Sequence, residues 1–293
     1  MRITVRVPAT SANLGPGFDC FGLALELCND VSVDTEAEPG VEWDGEGAEE
    51  LPTDGTDLIS RTIAHVGSFH DLTAPPLRLR GMNRIPLERG LGSSSAAVVA
   101  GVVLGSRLFD LSIDGHNTSP GADPYSVFAL AAEVEGHPDN AAPAAFGGLT
   151  VIADGDVRRM EPHPELRPVA LIPDVRLSTA RARDVLPSQV ARADAVFNVA
   201  HGALTIRALT DEPDMLRTVM RDRLHQDARL ELVPAVRDVF RRLTGDGVPV
   251  CVSGAGPTLL AFESKDRPVR DPGAGWRVLR TTARSAGVEI RSA

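Results

Sequence analysis

The residues best placed to do chemistry fall in PLERGLGSSSAA, Pro86 to Ala97. Gly90, Gly92, Ser93, Ser94 and Ser95 are packed into six consecutive positions. An apolar run from Ala96 to Phe109 follows, helical in composition apart from Gly101 and Gly105. A glycine loop that opens a helix is an anion site. The first N–H groups of the helix have no intrahelical partner, the helix dipole favours negative charge, and glycine lets the backbone approach phosphate oxygens. A serine hydroxyl beside them can ligate Mg²⁺. The same letters also describe a tight turn ahead of a serine-capped helix.

Other polar side chains stand in suggestive places. Asn13 and Asp19 lie in PATSANLGPGFDCFGLAL, Pro8 to Leu25, where prolines, glycines and Asn13 force an irregular loop. Turn chemistry would also account for both. Glu133 and Glu135 are two residues apart, so on a helix they point about 200° away from each other and only one can face a site. Glu133 shares a face with Ala129 and Leu130, which puts it on the more buried side. A buried carboxylate needs a cation or hydrogen-bond donors; Mg²⁺ and an arginine both qualify. His137 has no second histidine at ligand spacing, so a structural role is expected of it.

These residues need a scaffold. Ile3 to Val7 alternates with Arg2, Thr4 and Arg6 and reads as an amphipathic strand rather than an apolar leader. Val31 to Asp34 and Leu77 to Leu79 read as further strands, and Glu36 to Glu50 as an acidic hairpin or surface loop. Asp57 to Phe69 has helical spacing. A helix is expected from Asp123-Pro124 to Gly136, an N-cap and N1 pair at its start. His137 to Ile152 reads as a loop that ends in a strand. A charged, proline-bearing connection, Ala153 to Pro168, suggests a boundary near residue 155 and domains at 1–155 and 156–293. The second half predicts a strand at Val169 to Pro173 and a helix from Ser178. Helices are expected over Ala191 to Leu209, over Asp214 to Leu230 and after Pro234. Strands at Val248 to Ser253 and Leu259 to Phe262, a helix near Gly275 to Ala286 and a strand at Val288 to Arg291 complete an α+β sandwich.

Composition narrows the function. The chain has 293 residues, 43% of them hydrophobic, and a formal net charge of −10. That balance argues against a nucleic-acid or anionic-membrane surface. No run of about 18 apolar residues exists to span a membrane. Three scattered cysteines make no disulfide framework. A cytoplasmic protein is expected.

Lys265 is the single lysine among 30 basic residues. It stands in ESKDR without a glycine loop before it, so there is no Walker A motif. Protein-kinase signatures are absent. SGAGPTLLAF, Ser253 to Phe262, lacks the third glycine of a dinucleotide fingerprint. What remains is a phosphate loop without lysine, leading into a helix.

The string Pro86, Leu87, Glu88, Arg89, Gly90, Leu91, Gly92, Ser93, Ser94, Ser95, Ala96 resembles the phosphate loop of the GHMP small-molecule kinases. PATSANLGPGFDCFGLAL, EGHPDNAAPAAFGG and SGAGPTLLAF resemble three blocks of the homoserine kinase branch, so four blocks in family order span residues 8 to 262. The resemblance implies transfer of phosphate from ATP to the hydroxyl of L-homoserine, a step toward threonine. It also implies an N-terminal domain like ribosomal protein S5 domain 2 and a C-terminal ferredoxin-like α+β domain. ATP and acceptor would bind in the cleft between them. Members are often dimers, and a homodimer is among the expectations. Pro86 to Ala96 would wrap the triphosphate. Ser94 and Glu133 would hold Mg²⁺, with Ser93, Ser95 and Glu135 as substitutes. The family places the acceptor against Asn13, Asp19, Asn140, Arg183 and Arg229, and Thr179 near the acceptor hydroxyl. Asp57 stands where the family has an asparagine near the adenine.

This set makes chemical sense for an amino acid. Arginine's planar fork suits a carboxylate, and Asp19 with the oxygens of Asn13 and Asn140 suits an ammonium. Asn140 stands where related kinases have a catalytic aspartate. Asp139 beside it is expected to diverge, so no strong general base is expected. A loose phosphoryl-transfer transition state needs little early deprotonation. Other GHMP kinases, acting on mevalonate, phosphomevalonate, shikimate or a diphosphocytidyl-methylerythritol acceptor, are the rival readings, together with a nucleotide-responsive protein that has lost catalysis.

Overall fold

The computed structural model describes residues 1–111 and 123–291. The alternation at the N-terminus makes the strand it predicts, but a longer one. β1 (Arg2–Ala12) pairs antiparallel with β2 (Phe21–Asp34) along its whole length, so the irregular loop begins only at Asn13. The acidic stretch holds an edge strand, β3 (Gly40–Gly45). After α1 (Leu58–Ser68), β4 (Arg78–Asn83) lies between β2 and β3 and runs parallel to β3.

The glycine loop opens α2 (Ser93–Leu108), a helix buried on nearly every side. Gly101 and Gly105 let it sit close against α1. A Cβ at Gly101 would come within 2.6 Å of the Thr62 Cβ, and one at Gly105 within 3.1 Å of the Val66 Cβ. α3 (Pro124–Glu135) begins as expected, with Asp123 accepting from the Ser126 N–H and Pro124 in the first turn.

The segment expected as a loop after Gly136 is a helix instead, α4 (Pro138–Phe146). Its first proline sits where no N–H is needed, and the alanines at 141, 142, 144 and 145 are the strongest helix formers. β5 (Leu149–Ala153) and β6 (Asp156–Met160) form a hairpin hung on β2. The boundary expected near 155 falls on the turn of that hairpin, so the change of sheet comes after Met160.

The second sheet starts with β7 (Pro168–Pro173). α5 (Thr179–Asp184), α6 (Arg192–Thr210), α7 (Leu216–Val219), α8 (Gln226–Glu231) and α9 (Pro234–Gly245) follow. The single helix expected over Asp214 to Leu230 is broken because the Asp222 carboxylate takes the N–H groups of Leu224, His225 and Gln226. β8 (Val250–Val252), β9 (Leu259–Phe262) and β10 (Trp276–Arg280) complete a four-stranded antiparallel sheet, order β10-β7-β9-β8. The helix expected near Gly275 to Ala286 is therefore strand β10, with Trp276 and Val278 against the second core. The chain ends by returning β11 (Glu289–Arg291) to β1 in the first sheet.

Side chains alternate across a strand, and the second sheet uses both faces. Val169 and Leu171 of β7, with Leu259 and Ala261 of β9, pack under α8 and α9. Ala170, Ile172, Leu260 and Phe262 face the large core shared with the first sheet. The two halves are thus joined through apolar contact, and the cleft between them has a fixed floor. The architecture is α+β, as expected. No helix among the described residues is long and apolar enough to cross a membrane.

Candidate active site

A cavity of about 430 Å³ runs between the glycine loop and the second sheet. Leu87, Glu88, Arg89, Gly90, Gly92, Ser93, Ser94 and Ser95 line it, and so does Ala97. Pro86, Leu91 and Ala96, expected in the same role, do not; they are buried beneath the loop.

Two glycines fix the loop. Gly90 and Gly92 have φ of 73° and 69°, a left-handed region that costs other residues dearly. A Cβ at Gly90 would stand 2.3 Å from the Ser253 carbonyl, and one at Gly92 1.9 Å from the Thr10 hydroxyl. Ser253 donates to the Gly90 carbonyl at 2.6 Å, and Arg89 donates to the carbonyls of Pro173 and Asp174. The loop is therefore wedged against the second sheet. No side chain caps the first turn of α2, so its N–H groups remain open to an anion from the cleft.

Ser94 Oγ donates to Glu135 Oε2 at 3.1 Å. Burial raises the Glu135 pKa, while its hydrogen bonds from Ser94 and Ser95 oppose the rise. Glu133, the expected metal ligand, is exposed and does not line the cleft. The buried face of α3 is set by Val127, Phe128 and Ala131, and Glu135 lies one turn beyond Ala131. Among the described residues no three acidic, histidine or cysteine side chains form a ready-made metal cage. The pair still suits Mg²⁺. Both donors are hard oxygens, and neighbouring ligands of an octahedral Mg²⁺ at about 2.0–2.1 Å stand about 3 Å apart.

One end of the cleft is apolar, with Trp43, Leu51, Leu58 and Leu87. Asn29 and Asn83 line the same end and are hydrogen-bonded together at 3.2 Å. Asp57 caps α1 through Oδ1, which accepts from the Ser60 N–H at 2.9 Å. Its Oδ2 is buried and has no hydrogen-bond partner among the described residues. Trp43, Asn29 and Asn83 carry no signal in the sequence, because β4 brings them together by pairing antiparallel with β2, which holds Asn29, and parallel with β3, which holds Trp43.

The other end gathers charge. Asn13 and Asp19, both with positive φ, approach from the loop after β1. The Asn13 carboxamide donates to the Gly254 carbonyl and accepts from the Asp19 N–H, so it braces the loop. Asp19 meets Arg183 of α5 through both oxygens. Arg229 is buried, donates to the carbonyls of Ala182 and Gly254, and lies over the Phe18 ring. Its pKa is lowered to about 10, chiefly by burial.

Asn140 accepts from the Thr10 hydroxyl through Oδ1 at 2.8 Å, which leaves its NH₂ as a donor. Thr179, the first residue of α5, also lines the cleft. Asp139 faces the cleft as well as Asn140: both line the cavity from the first turn of α4. Burial, and then repulsion from Asp19, raise the Asp139 pKa to about 6. Asp139 has no role in the expected loop and gains one only because the segment forms α4.

The glycine loop lies inside a stretch with known relatives. The profile of the GHMP kinases N terminal domain matches residues 57–148, from the start of α1 to the end of α4. With the lysine-free loop it defines a GHMP small-molecule kinase. Homoserine kinase of Clavibacter michiganensis subsp. michiganensis is 44% identical over 278 residues, covering 93% of this chain and 84% of that protein. The homoserine kinase of Streptomyces avermitilis is 42% identical over 299 residues, covering 98% of this chain and 95% of that protein. The crystal structure of homoserine kinase from Cytophaga hutchinsonii superposes with a TM-score of 0.83 at 25% identity, covering 99% of this chain and 97% of the other. A mevalonate kinase shares the fold at 11% identity, with a TM-score of 0.69 over 96% of this chain and 99% of the other. The chain belongs to the homoserine kinase family.

Proposed function

We infer that this enzyme phosphorylates the side-chain hydroxyl of L-homoserine with ATP, giving O-phospho-L-homoserine and ADP in threonine biosynthesis. One observation carries the substrate. The acceptor end presents two cations, Arg183 and Arg229, beside two carboxylates, Asp19 and Asp139, and Asp19 repels Asp139. Two like charges held together in a half-buried cleft call for a cation between them. An α-amino acid brings an ammonium for the carboxylates and a carboxylate for the guanidinium forks. Mevalonate and shikimate offer no ammonium, and a phosphorylated acceptor would face both carboxylates.

The triphosphate lies against the open N–H groups of Ser93 to Ser95 and the Gly90–Gly92 backbone, with the base toward Trp43 and Asp57. Ser94 and Glu135 would hold Mg²⁺, which neutralises phosphate charge when bound. The Asn140 NH₂ and Thr179 orient the acceptor hydroxyl toward the terminal phosphate. Positioning and charge neutralisation supply most of the barrier reduction. We place the enzyme in the cytoplasm with ATP and L-homoserine as its partners and no nucleic acid or membrane, and a homodimer is the assembly that the family resemblance implies.

A coupled ADP-release assay with L-homoserine, mevalonate, shikimate and diphosphocytidyl-methylerythritol tests the reading. Turnover with L-homoserine alone is expected. Preference for any of the others removes the substrate assignment.

A further inference from the structure

His225 is fully buried next to the acceptor end, and both ring nitrogens are engaged. Nε2 stands 2.8 Å from the Gly15 carbonyl oxygen, and Nδ1 stands 3.1 Å from Arg229 Nη1. A carbonyl only accepts and a guanidinium only donates. Nε2 must therefore carry the hydrogen and Nδ1 must be bare, so the ring is neutral in a single tautomer. Its face stacks on Phe18, with ring centroids 5.2 Å apart, and Arg229 lies over the same phenyl ring. Burial lowers the His225 pKa to about 4; Arg229 lowers it too, while Asp222, 3.8 Å from Nε2, opposes the fall.

The Arg229 donors can be counted. Nε goes to the Ala182 carbonyl, and the two hydrogens of Nη1 go to the Gly254 carbonyl and His225 Nδ1. Among the described residues three of five donors are held by protein, and the pair on Nη2 is left for the cleft that Arg229 lines. Without an acceptor at Nδ1, one Nη1 hydrogen is left buried and unpaired, and the guanidinium is held in place by the Ala182 and Gly254 carbonyls alone. The Gly15 carbonyl belongs to the loop that carries Asn13 and Asp19. One imidazole thus fixes Arg229 on one side and the Asp19 loop on the other.

We propose that His225 is a positioning residue for the acceptor: it sets the edge of Arg229 that receives the substrate carboxylate. The substrate in this statement rests on the homoserine reading given above.

Two substitutions divide the ring. In His225→Asn the side-chain oxygen can stand where Nδ1 stood and accept from Arg229, but the amide cannot reach Gly15. In His225→Gln the amide can donate to Gly15, and nothing replaces Nδ1. The expected result is a homoserine KM raised about 10- to 100-fold in His225→Gln and within about threefold of the parent in His225→Asn, the ATP KM unchanged in both. A parent-like homoserine KM in His225→Gln, equal losses in the two variants, or a loss confined to His225→Asn overturns the proposal. Should either variant fail to fold, ¹⁵N shifts of the His225 ring in the parent protein decide instead. A bare Nδ1 whose shift moves on adding L-homoserine supports the role; a protonated or unresponsive Nδ1 ends it. A parent protein that releases no ADP with L-homoserine sinks the functional reading separately, since the ring shifts still report the contact with Arg229.

Discussion

Asp19 and Arg183, 164 residues apart in sequence, meet through both carboxylate oxygens at 2.8 and 3.1 Å. One comes from the loop after β1 and the other from α5, so the pair bridges the two sides of the cleft at its acceptor end. Both side chains are about one-third exposed, at 33% and 39%. A pair that open contributes little to stability, about 0–1 kcal/mol. Its partners are free to exchange one another for an amino acid's ammonium and carboxylate.

Arg183→Leu should therefore separate binding from folding. We expect the homoserine KM to rise about 10- to 100-fold, with the ATP KM within about twofold and the melting temperature within about 3 °C of the parent. Steady-state kinetics with each substrate varied, together with a thermal scan, checks this. Equal effects on both KM values would remove Arg183 from the acceptor site.

The Glu133 and Glu135 positions give a second, paired test. Glu135 contacts Ser94 inside the cleft, while Glu133 is exposed on α3. Glu135→Gln should raise the Mg²⁺ concentration needed for half-maximal turnover by about tenfold or more, and Glu133→Gln should leave it unchanged. A Mg²⁺ titration at saturating ATP reads both. The reverse outcome would restore Glu133 as the ligand.

What could be read in advance follows from how local each signal is. Gly90 and Gly92 announce a close backbone approach wherever they stand, and the apolar run after them announces a buried helix. Three strands of the second sheet, β7, β8 and β9, are legible as short apolar runs buried on both faces, whereas β10 is expected as a helix. The phase of α3 was not. Spacing shows that Glu133 and Glu135 diverge, but Phe128 and Ala131 decide which one turns inward, through contacts with other elements. Prolines misled at α4, because a proline in the first helical turn looks like one in a loop. That error hid Asp139. His225 carried no signal, since a single histidine acquires meaning only from Gly15 and Arg229, brought to it by the fold.

Asp57 offers a test of base selection. Its Oδ2 is a buried acceptor with no partner among the described residues, at the apolar end of the cleft. A donor suits it, and adenine presents an exocyclic amine where guanine presents a carbonyl. Asp57→Asn keeps the cap on α1 and can turn an NH₂ toward the base. The preference for ATP over GTP, read as the ratio of kcat/KM values, should fall by about tenfold or more. An unchanged ratio would place the base elsewhere.

Asp139 links function to stability through its pKa of about 6. In the unfolded chain an aspartate ionises near its ordinary value of 3.8. Between these values the folded protein holds the extra proton, so stability falls as pH rises through that window and stays lower above it. Asp139→Asn should therefore stabilise the protein by about 1–3 kcal/mol at pH 8 and have little effect near pH 3.5. Comparing variant and parent at each pH cancels His225, whose lowered pKa withdraws stability as pH falls. Activity should move the other way. Parent kcat/KM for homoserine should decline below about pH 6 as the carboxylate that faces the ammonium protonates. The variant should start lower and lose that limb. A fall in kcat of less than about 10²-fold fits a binding carboxylate, while a loss beyond about 10³-fold would make Asp139 the general base. Thermal melts from pH 3.5 to 8 and pH–rate profiles of the two proteins test both halves, and a variant no more stable than the parent at pH 8 would mean that Asp139 ionises without strain.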